Sequence, residues 1–354
     1  MPQLSIQNLS LAGRLADVTL DIAAGEHLLV AGPSGAGKTT LLRLIAGLES
    51  PDTGQLLIDG RNATREPPHR RGVALVAQRP ALYSHLTVRR NLAIGVELRK
   101  PRPAAAEIAS RVAEAADLLG LTSLLDRRPH ELSGGEQQRV ALGRAWACRA
   151  GLWLLDEPFG HLNPALRQQV RDRTYSLRER ASATTVEVTH DPTEARGHAG
   201  RVAVLGGGQL EQVGIASDLY DRPATRTVAE ALADVPANVA EGVAGPCGLT
   251  VAPEMTLPLP GQDWPAGRSL CLLVRPEHIM IGGLPHGTLP LGDWRVCRAA
   301  PRGPAWLVSV ERAGFVWRLW RPDPGPPTGA TLSLAVPARA SFVFDGTNGR
   351  RLWP

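Results

Sequence analysis

Up to residue 234, short apolar runs alternate with stretches whose apolar residues recur at helical spacing. Residues 27–31 form one such run. A glycine-rich segment separates it from residues 39–46, where Leu41, Leu42 and Ile45 mark one helix face. Gly47 closes that helix, because a residue without a Cβ enters the left-handed conformation at little cost. The pattern is strand, loop, helix. Further apolar runs at 73–77, 152–155 and 186–189 predict buried strands, and the helical stretches between them predict a mainly parallel sheet. Residues 104–119 predict a helix with Ile108, Val112, Ala115 and Leu119 on one face and Gly120 as its stop. Asn163 and Pro164 open another, Asn as N-cap and Pro at the first position, with Leu166, Val170 and Leu177 on its apolar face.

Beyond residue 234 the pattern changes. Helical periodicity gives way to short apolar stretches broken by Pro and Gly, and Trp264, Trp294, Trp306, Trp317, Trp320 and Trp353 all fall here. Residues 315–320 read as a strand with aromatics on both faces. We expect two domains, an α/β domain over 1–234 and a small β-barrel-like domain over 235–354. No internal repeat is evident.

Hydrophobic residues at 43% and charged residues at 21% fit a globular protein, and no apolar run reaches the length needed to cross a bilayer. The first ten residues lack a signal-peptide layout, so a cytoplasmic chain is expected. A formal charge of +5 and a pI near 9.4 raise the question of nucleic acid. The arginines are scattered among acids, which argues against such a partner. Cys148, Cys247, Cys271 and Cys297 show no C-x-x-C spacing and are expected to be small buried apolar residues, not metal ligands or disulfides. Lys38 and Lys100 are the only lysines among 39 basic residues, so arginine is the default cation here and Lys38 answers a specific need.

That need is legible in its surroundings. Gly32-Pro33-Ser34-Gly35-Ala36-Gly37-Lys38-Thr39 fits the P-loop pattern G-x-x-x-x-G-K-[ST] at every fixed position. A compact ammonium enters a ring of backbone amides to meet β- and γ-phosphates, whereas a planar guanidinium seeks bidentate partners at an open edge. The amides from Gly35 to Thr40 are expected to cradle phosphate, and the Thr39 hydroxyl to face Mg²⁺. The pattern names a nucleoside triphosphate without naming its use.

Leu132-Ser133-Gly134-Gly135-Glu136-Gln137-Gln138-Arg139 resembles the LSGGQ signature of ATP-binding cassette (ABC) ATPases, with Glu136 in place of the first Gln. Ser133 and the two glycines at a helix start make a second anion-binding nest, with free N–H groups and no side chain in the way. Leu152-Trp153-Leu154-Leu155-Asp156-Glu157 looks like the family's Walker B strand and catalytic glutamate. Asp156 is placed to hold Mg²⁺ through water, and Glu157 to orient or deprotonate the attacking water. The resemblance further implies that Gln78 senses Mg²⁺ and γ-phosphate, and that His190 is a switch histidine on the γ-phosphate.

The resemblance covers essentially the whole chain. Arg275-Pro276-Glu277-His278 and the segment 344–352 look like the TOBE-type, OB-like C-terminal domain of the maltose and glycerol-phosphate importer ATPases. Spermidine, sulfate and iron importers carry related domains. The implied fold is an α/β P-loop NTPase with an inserted helical subdomain at about 84–150, followed by that all-β domain. The implied activity is ATP hydrolysis with Mg²⁺, coupled to import of a carbohydrate or related polyol. Two identical cassettes would sandwich ATP between the P-loop of one and the Ser133 loop of the other. Two transmembrane permease subunits would bind them at the cytoplasmic face of the inner membrane, served indirectly by an extracytoplasmic solute-binding protein. A DNA-repair or translation ATPase of the same family would need a second cassette or a long coiled coil, and the chain shows one P-loop and no sustained heptads.

Two departures stand out. The family stacks adenine on an aromatic residue upstream of the P-loop, yet no Phe, Trp or Tyr precedes Tyr83, and the chain is shortened between Asn8 and Asp17. Leu11, Ala12 or Arg14 must serve that face, which implies weak discrimination between ATP and GTP. The D-loop, which normally ends in Asp, ends here in Asn163. An active hydrolase with looser coupling between two sites is expected.

Overall fold

The computed structural model describes residues 1–99, 101–160, 162, 164–181, 183–198, 200–261, 264–282 and 285–353. It divides into two compact units, Met1–Ile215 and Ala216–Pro354. The first runs β1 (Leu4–Leu11), β2 (Leu15–Ile22), β3 (His27–Ala31), α1 (Lys38–Ala46), β4 (Thr53–Ile58), β5 (Arg61–Asn62), β6 (Val73–Val76) and α2 (Val88–Glu97). It continues with α3 (Ala105–Leu118), α4 (Gly134–Ala147), β7 (Leu152–Asp156), α5 (Pro164–Ala181), β8 (Thr184–Val188), α6 (Pro192–Gly197), β9 (Arg201–Gly206) and β10 (Gln209–Ile215).

Six strands form the central sheet in the order β10-β9-β3-β8-β7-β6, so β3 lies inside it and β6 at one edge. All neighbours are parallel except β9 and β10. β3, β7 and β8 are buried along their whole length because both faces are covered. Leu152 and Leu154 of β7 pack with Leu41, Leu42 and Ile45 of α1 in one cluster. Trp153 and Leu155 face the other way, into a cluster with Leu92, Val112 and Val140 of α2, α3 and α4. Burying each such side chain contributes roughly 1.5–3 kcal/mol. A second, antiparallel sheet, β2-β1-β4-β5, covers the α1 side. Because β3, β6, β7 and β8 run parallel, the loops that leave their carboxyl ends open on one side of the sheet, where open α/β folds bind ligands.

Local chemistry fixes the helix ends. Gly47 adopts φ 77° at the end of α1, as expected. Beside it Arg71, 4% exposed, donates to the carbonyls of Leu44 and Ile45 and to those of Thr64 and Glu66. Thr87 caps α2, and buried Asn91 bonds the backbone of Tyr83, Leu86 and Thr87, pinning the chain ahead of that helix. In α3 the expected stripe of Ile108, Val112, Ala115 and Leu119 is buried.

The second unit runs α7 (Ala216–Asp221), α8 (Arg226–Ala231), β11 (Asn238–Gly245), β12 (Gly248–Ala252), β13 (Met255–Leu257), β14 (Ser269–Val274) and β15 (Met280–Ile281). It ends with β16 (Thr288–Arg302), β17 (Ala305–Arg312), β18 (Phe315–Arg321), β19 (Thr331–Pro337), β20 (Ser341–Asp345) and β21 (Arg351–Trp353). Two antiparallel sheets, β13-β12-β11-β14-β20-β21 and β15-β19-β16-β17-β18, share one core. At its centre Trp294 stacks on Trp317 with ring centroids 5.0 Å apart. In β18, Trp317 and Leu319 are buried while Val316 is 52% exposed, the period-2 alternation of a half-buried strand.

Two expectations change. The boundary lies after Ile215, not after residue 234, because α7 and α8 are anchored to the β unit. Ala229 packs with Cys271, Leu273, Phe342 and Phe344, and the backbone bonds Gly349 and Ala224 join the helices to the C-terminal strands. The cysteines are also not uniformly buried: Cys271 is, Cys148 and Cys297 are half-buried, and Cys247 is exposed in the β11–β12 hairpin. Alternation along an antiparallel strand, the turn of a hairpin and, for Cys148, the end of α4 decide their placement, and cysteine's preference does not override them.

Candidate functional site

The glycine loop between β3 and α1 owes its shape to backbone that only glycine tolerates. Gly32 has φ 143° and a Cβ there would stand 2.1 Å from the Leu205 carbonyl oxygen. Gly37 has φ 97°, and its Cβ would meet Leu15 at 2.6 Å and the Arg14 carbonyl oxygen at 2.8 Å. The tip of the β1–β2 hairpin therefore lies directly on the loop. Lys38 is 6% exposed and its Nζ donates to the carbonyls of Gly32 (2.7 Å) and Pro33 (2.8 Å). Burial pushes its ammonium below the usual lysine value, against the pull of Glu157 and Asp156. The first amides of α1 lack partners within the helix by construction, so an ammonium and a positive helix end converge on one point.

Thr39, one residue into α1, donates its hydroxyl to Asp156 Oδ1 at 3.2 Å. Asp156 ends β7 and is 6% exposed. Burial lifts its carboxyl above the usual range, the Thr39 bond opposes the shift, and neighbouring Glu157 adds to it. Glu157 itself stands at φ 47°, a left-handed conformation rare outside glycine, held by its N–H bond to the Val188 carbonyl (3.0 Å). That turn presents both carboxylate oxygens. One lies 2.8 Å from His190 Nδ1, and the other accepts from Gln78 Nε2 at 2.9 Å. Gln78 follows β6 and His190 follows β8, so the ends of three strands meet on one carboxylate beside the P-loop. Arg167, Thr189, Asp191 and Glu194 line the same cavity as Glu157 and His190.

The signature segment differs from the expected open nest. Ser133 caps α4, and its hydroxyl accepts from the Glu136 amide at 3.3 Å. The Glu136 carboxylate folds back to accept from both the N–H and the hydroxyl of Ser133, each at 2.8 Å. This capping box holds the Glu136 carboxyl below its ordinary value, chiefly through its bonds from Ser133. The N–H and hydroxyl of Ser133 are thus occupied by this chain's own acid. Gly134 is exposed and Gly135 half-exposed beside it. Asn163 lies outside the described residues. At the β1–β2 hairpin Arg14 pairs with Glu49, which also holds Arg43 of α1 (2.7 and 2.9 Å).

Periodicity and motif spacing left several residues unremarked. Arg71 was one more arginine in a row of basic residues, and only its burial reveals its task. Arg167, Arg171 and Glu194 carry a faint signal, two arginines four apart on a helix and an acid four after His190, which is indistinguishable from ordinary surface charge.

Fold and site together define a nucleoside-triphosphate-binding protein of the P-loop class. A family model described as ABC transporter matches residues 15–160. The sn-glycerol-3-phosphate import ATP-binding protein UgpC of Salmonella choleraesuis (strain SC-B67) is 38% identical over 354 residues, covering 95% of this chain and 94% of that one. The chain belongs to the ABC transporter family. UgpC of Escherichia coli O1:K1 / APEC is likewise 38% identical over 353 residues, with the same coverage. Among solved structures, the dimeric ATP-binding cassette MJ0796 in a post-hydrolysis state bound to ADP and Pi superposes with a TM-score of 0.55 at 28% identity, over 60% of this chain and 98% of that one. An ATP-binding subunit of an ABC transporter gives a TM-score of 0.56 at 26% identity, over 61% and 91%.

Proposed function

We propose that this chain hydrolyses ATP to drive import of a carbohydrate or related polyol solute. The observation that carries the reading is the Glu157 carboxylate, which holds His190 on one oxygen and Gln78 on the other beside the buried Lys38. Kinship with import ATP-binding proteins along nearly the whole chain supports the transport role, and their sn-glycerol-3-phosphate supports the solute class.

The backbone from Gly32 to Thr40 and the Lys38 ammonium bind the β- and γ-phosphates. Thr39 and Asp156 suit Mg²⁺, since two hard oxygen donors already meet there. Among the described residues no group of three or more His, Cys, Asp or Glu side chains could hold a metal alone. That fits an ion that takes its remaining ligands from water and the nucleotide's phosphates. When bound it neutralises charge on those oxygens. Glu157 accepts the proton of the attacking water, with its carboxylate kept in place by Gln78, and the His190 ring beside that carboxylate steadies the γ-phosphate.

Ser133 and its glycines then face the ATP of a second copy, and closure of two copies around two nucleotides moves a pair of membrane permease subunits. Among the described residues no helix is long and apolar enough to cross a membrane. Kinship with import ATP-binding proteins supports work at the cytoplasmic face through those partners. Residues 235–354 would be a TOBE-type domain. The test is uptake of labelled sn-glycerol-3-phosphate and of maltose in cells carrying the intact chain or Lys38→Ala, together with co-purification from membranes. Loss of uptake in the variant and recovery of permease subunits are expected. Unchanged uptake of both solutes with no membrane partner would overturn the reading.

A further inference from the structure

The His190 side chain is 57% exposed, so its ring is steered mainly by the backbone that carries it. That backbone is fastened on both sides of the ring through one hydroxyl. Thr189, 3% exposed, donates its Oγ1 to Glu194 Oε2 at 2.5 Å and accepts from the Asp191 amide at 3.0 Å. The residue before His190 and the residue after it are therefore joined to each other and to α6. The Thr189 N–H bonds the Val30 carbonyl (3.1 Å), which ties the same point to β3, the strand that leads into the P-loop.

A second set of contacts comes from α5. Arg171 Nη2 donates to Glu194 Oε1 at 2.6 Å, and Arg167, four residues earlier on the same helix face, lies 3.5 Å from Asp191. Asp191 also caps α6 by accepting from the Thr193 amide (2.9 Å). The Glu194 and Arg171 side chains are 11% and 19% exposed, so their pair is sheltered from water and resists displacement. Burial lifts the Glu194 carboxyl above its usual range, and the bonds from Thr189 and Arg171 counter that shift. A pair that merely joined two helices would have no reason to share its acid with a hydroxyl bridging the two neighbours of His190.

We propose that Thr189 and Glu194, held by Arg171, are positioning residues that set the His190 ring against Glu157 and the γ-phosphate. The inference rests on the role given to His190 above. Arg171 sits on α5, so the clasp ties that helix to the backbone that carries the histidine.

Turnover and ATP affinity of the full chain, measured for Thr189→Val, Thr189→Ser, Glu194→Gln and His190→Ala, test it. Valine keeps the shape and removes the hydroxyl. Misplacing His190 this way is expected to lower kcat about 10- to 100-fold. ATP affinity is expected to stay within about twofold, because the P-loop contacts are untouched. Serine restores the hydroxyl and with it most of kcat. Glu194→Gln, which keeps one acceptor but loses the Arg171 pair, falls between the two and serves if the valine variant proves unstable. The proposal is overturned if folded Thr189→Val and Glu194→Gln keep kcat while His190→Ala loses it. It is equally overturned if serine does no better than valine, or if ATP binding falls together with kcat. Should His190→Ala itself keep kcat, the role of His190 is what failed, and this inference goes with it.

Discussion

Glu157 and His190 meet at 2.8 Å, joining the end of β7 to the end of β8, and the left-handed turn at Glu157 is what brings them together. Replacing Glu157 with Gln keeps the size of the side chain and removes its basicity. Hydrolysis should fall by about 10²–10⁴, the range a general base supplies. ATP binding should persist, so that two copies accumulate around uncleaved nucleotide. Phosphate release and gel filtration with ATP measure both; turnover at the unaltered rate would refute the assigned base.

The Glu136 carboxylate occupies the N–H and hydroxyl of Ser133, two donors that the proposed function assigns to a phosphate of a second copy. Glu136→Gln keeps the capping box, which accepts Glu or Gln, and removes a negative charge from the path of that phosphate. At an exposed site such a charge is worth about 1 kcal/mol, so ATP-driven association of copies should tighten about fivefold. Sedimentation in a Glu157→Gln background reads this, and unchanged or weaker association would count against it.

Arg71 stabilises the end of the very helix that begins with Lys38. Arg71→Ala would remove a donor from the buried carbonyls of Leu44 and Ile45 and from the half-buried ones of Thr64 and Glu66. We expect a loss of about 3 kcal/mol or more in unfolding experiments. Arg71→Lys should recover little, because a point charge cannot reach diverging carbonyls as a planar fork does. A denaturation midpoint unmoved by either change would sink the account.

Asp345 accepts from the Thr347 hydroxyl, Arg268 and the amides of Thr347 and Asn348. Those bonds, the Thr347 hydroxyl first, hold its carboxyl well below the usual range. The folded value lies under the unfolded one of about 3.9, so the stabilisation is complete above that pH and drains away as pH falls further. Asp345→Asn should therefore lower the melting temperature at pH 7, with the gap closing below about pH 4. A gap that widens in acid would contradict this sign.

With Arg14 engaged by Glu49 and no aromatic residue on the β1–β2 hairpin, the base has little to stack on. A stacked base is worth about 1–3 kcal/mol, and without it ATP and GTP should bind within about threefold of each other. Competition between the two for the purified chain decides this, and strong preference for ATP would dismiss it.

Much of the first unit was legible because its signals are local. The run at His27–Ala31, the stripe in α3 and Gly47 as a stop each depend on neighbours within a turn or a strand. The separation of Gln78, Asp156, Glu157 and His190 along the chain hides their meeting, and only motif resemblance pointed to it. Local periodicity carried no trace of the clasp on His190, of Arg71 under α1 or of Glu136 folded over Ser133. Each depends on where a long side chain reaches once remote segments are packed. The boundary at Ile215 was missed for a related reason: two short helices read as a continuation of helical sequence, while their packing partners lie more than forty residues on.

The order of the central sheet supports its ligand-facing groups unequally. Lys38 and His190 leave β3 and β8, which are braced by a neighbour on either flank, whereas Gln78 leaves β6, which among the described residues is bonded only to β7. A strand held along one flank yields at lower free energy than one held along both. Such a frame has one compliant wall among stiff ones. The Gln78–Glu157 contact thus hangs from the more yielding strand, while the Lys38 cradle and His190 hang from stiffer ones.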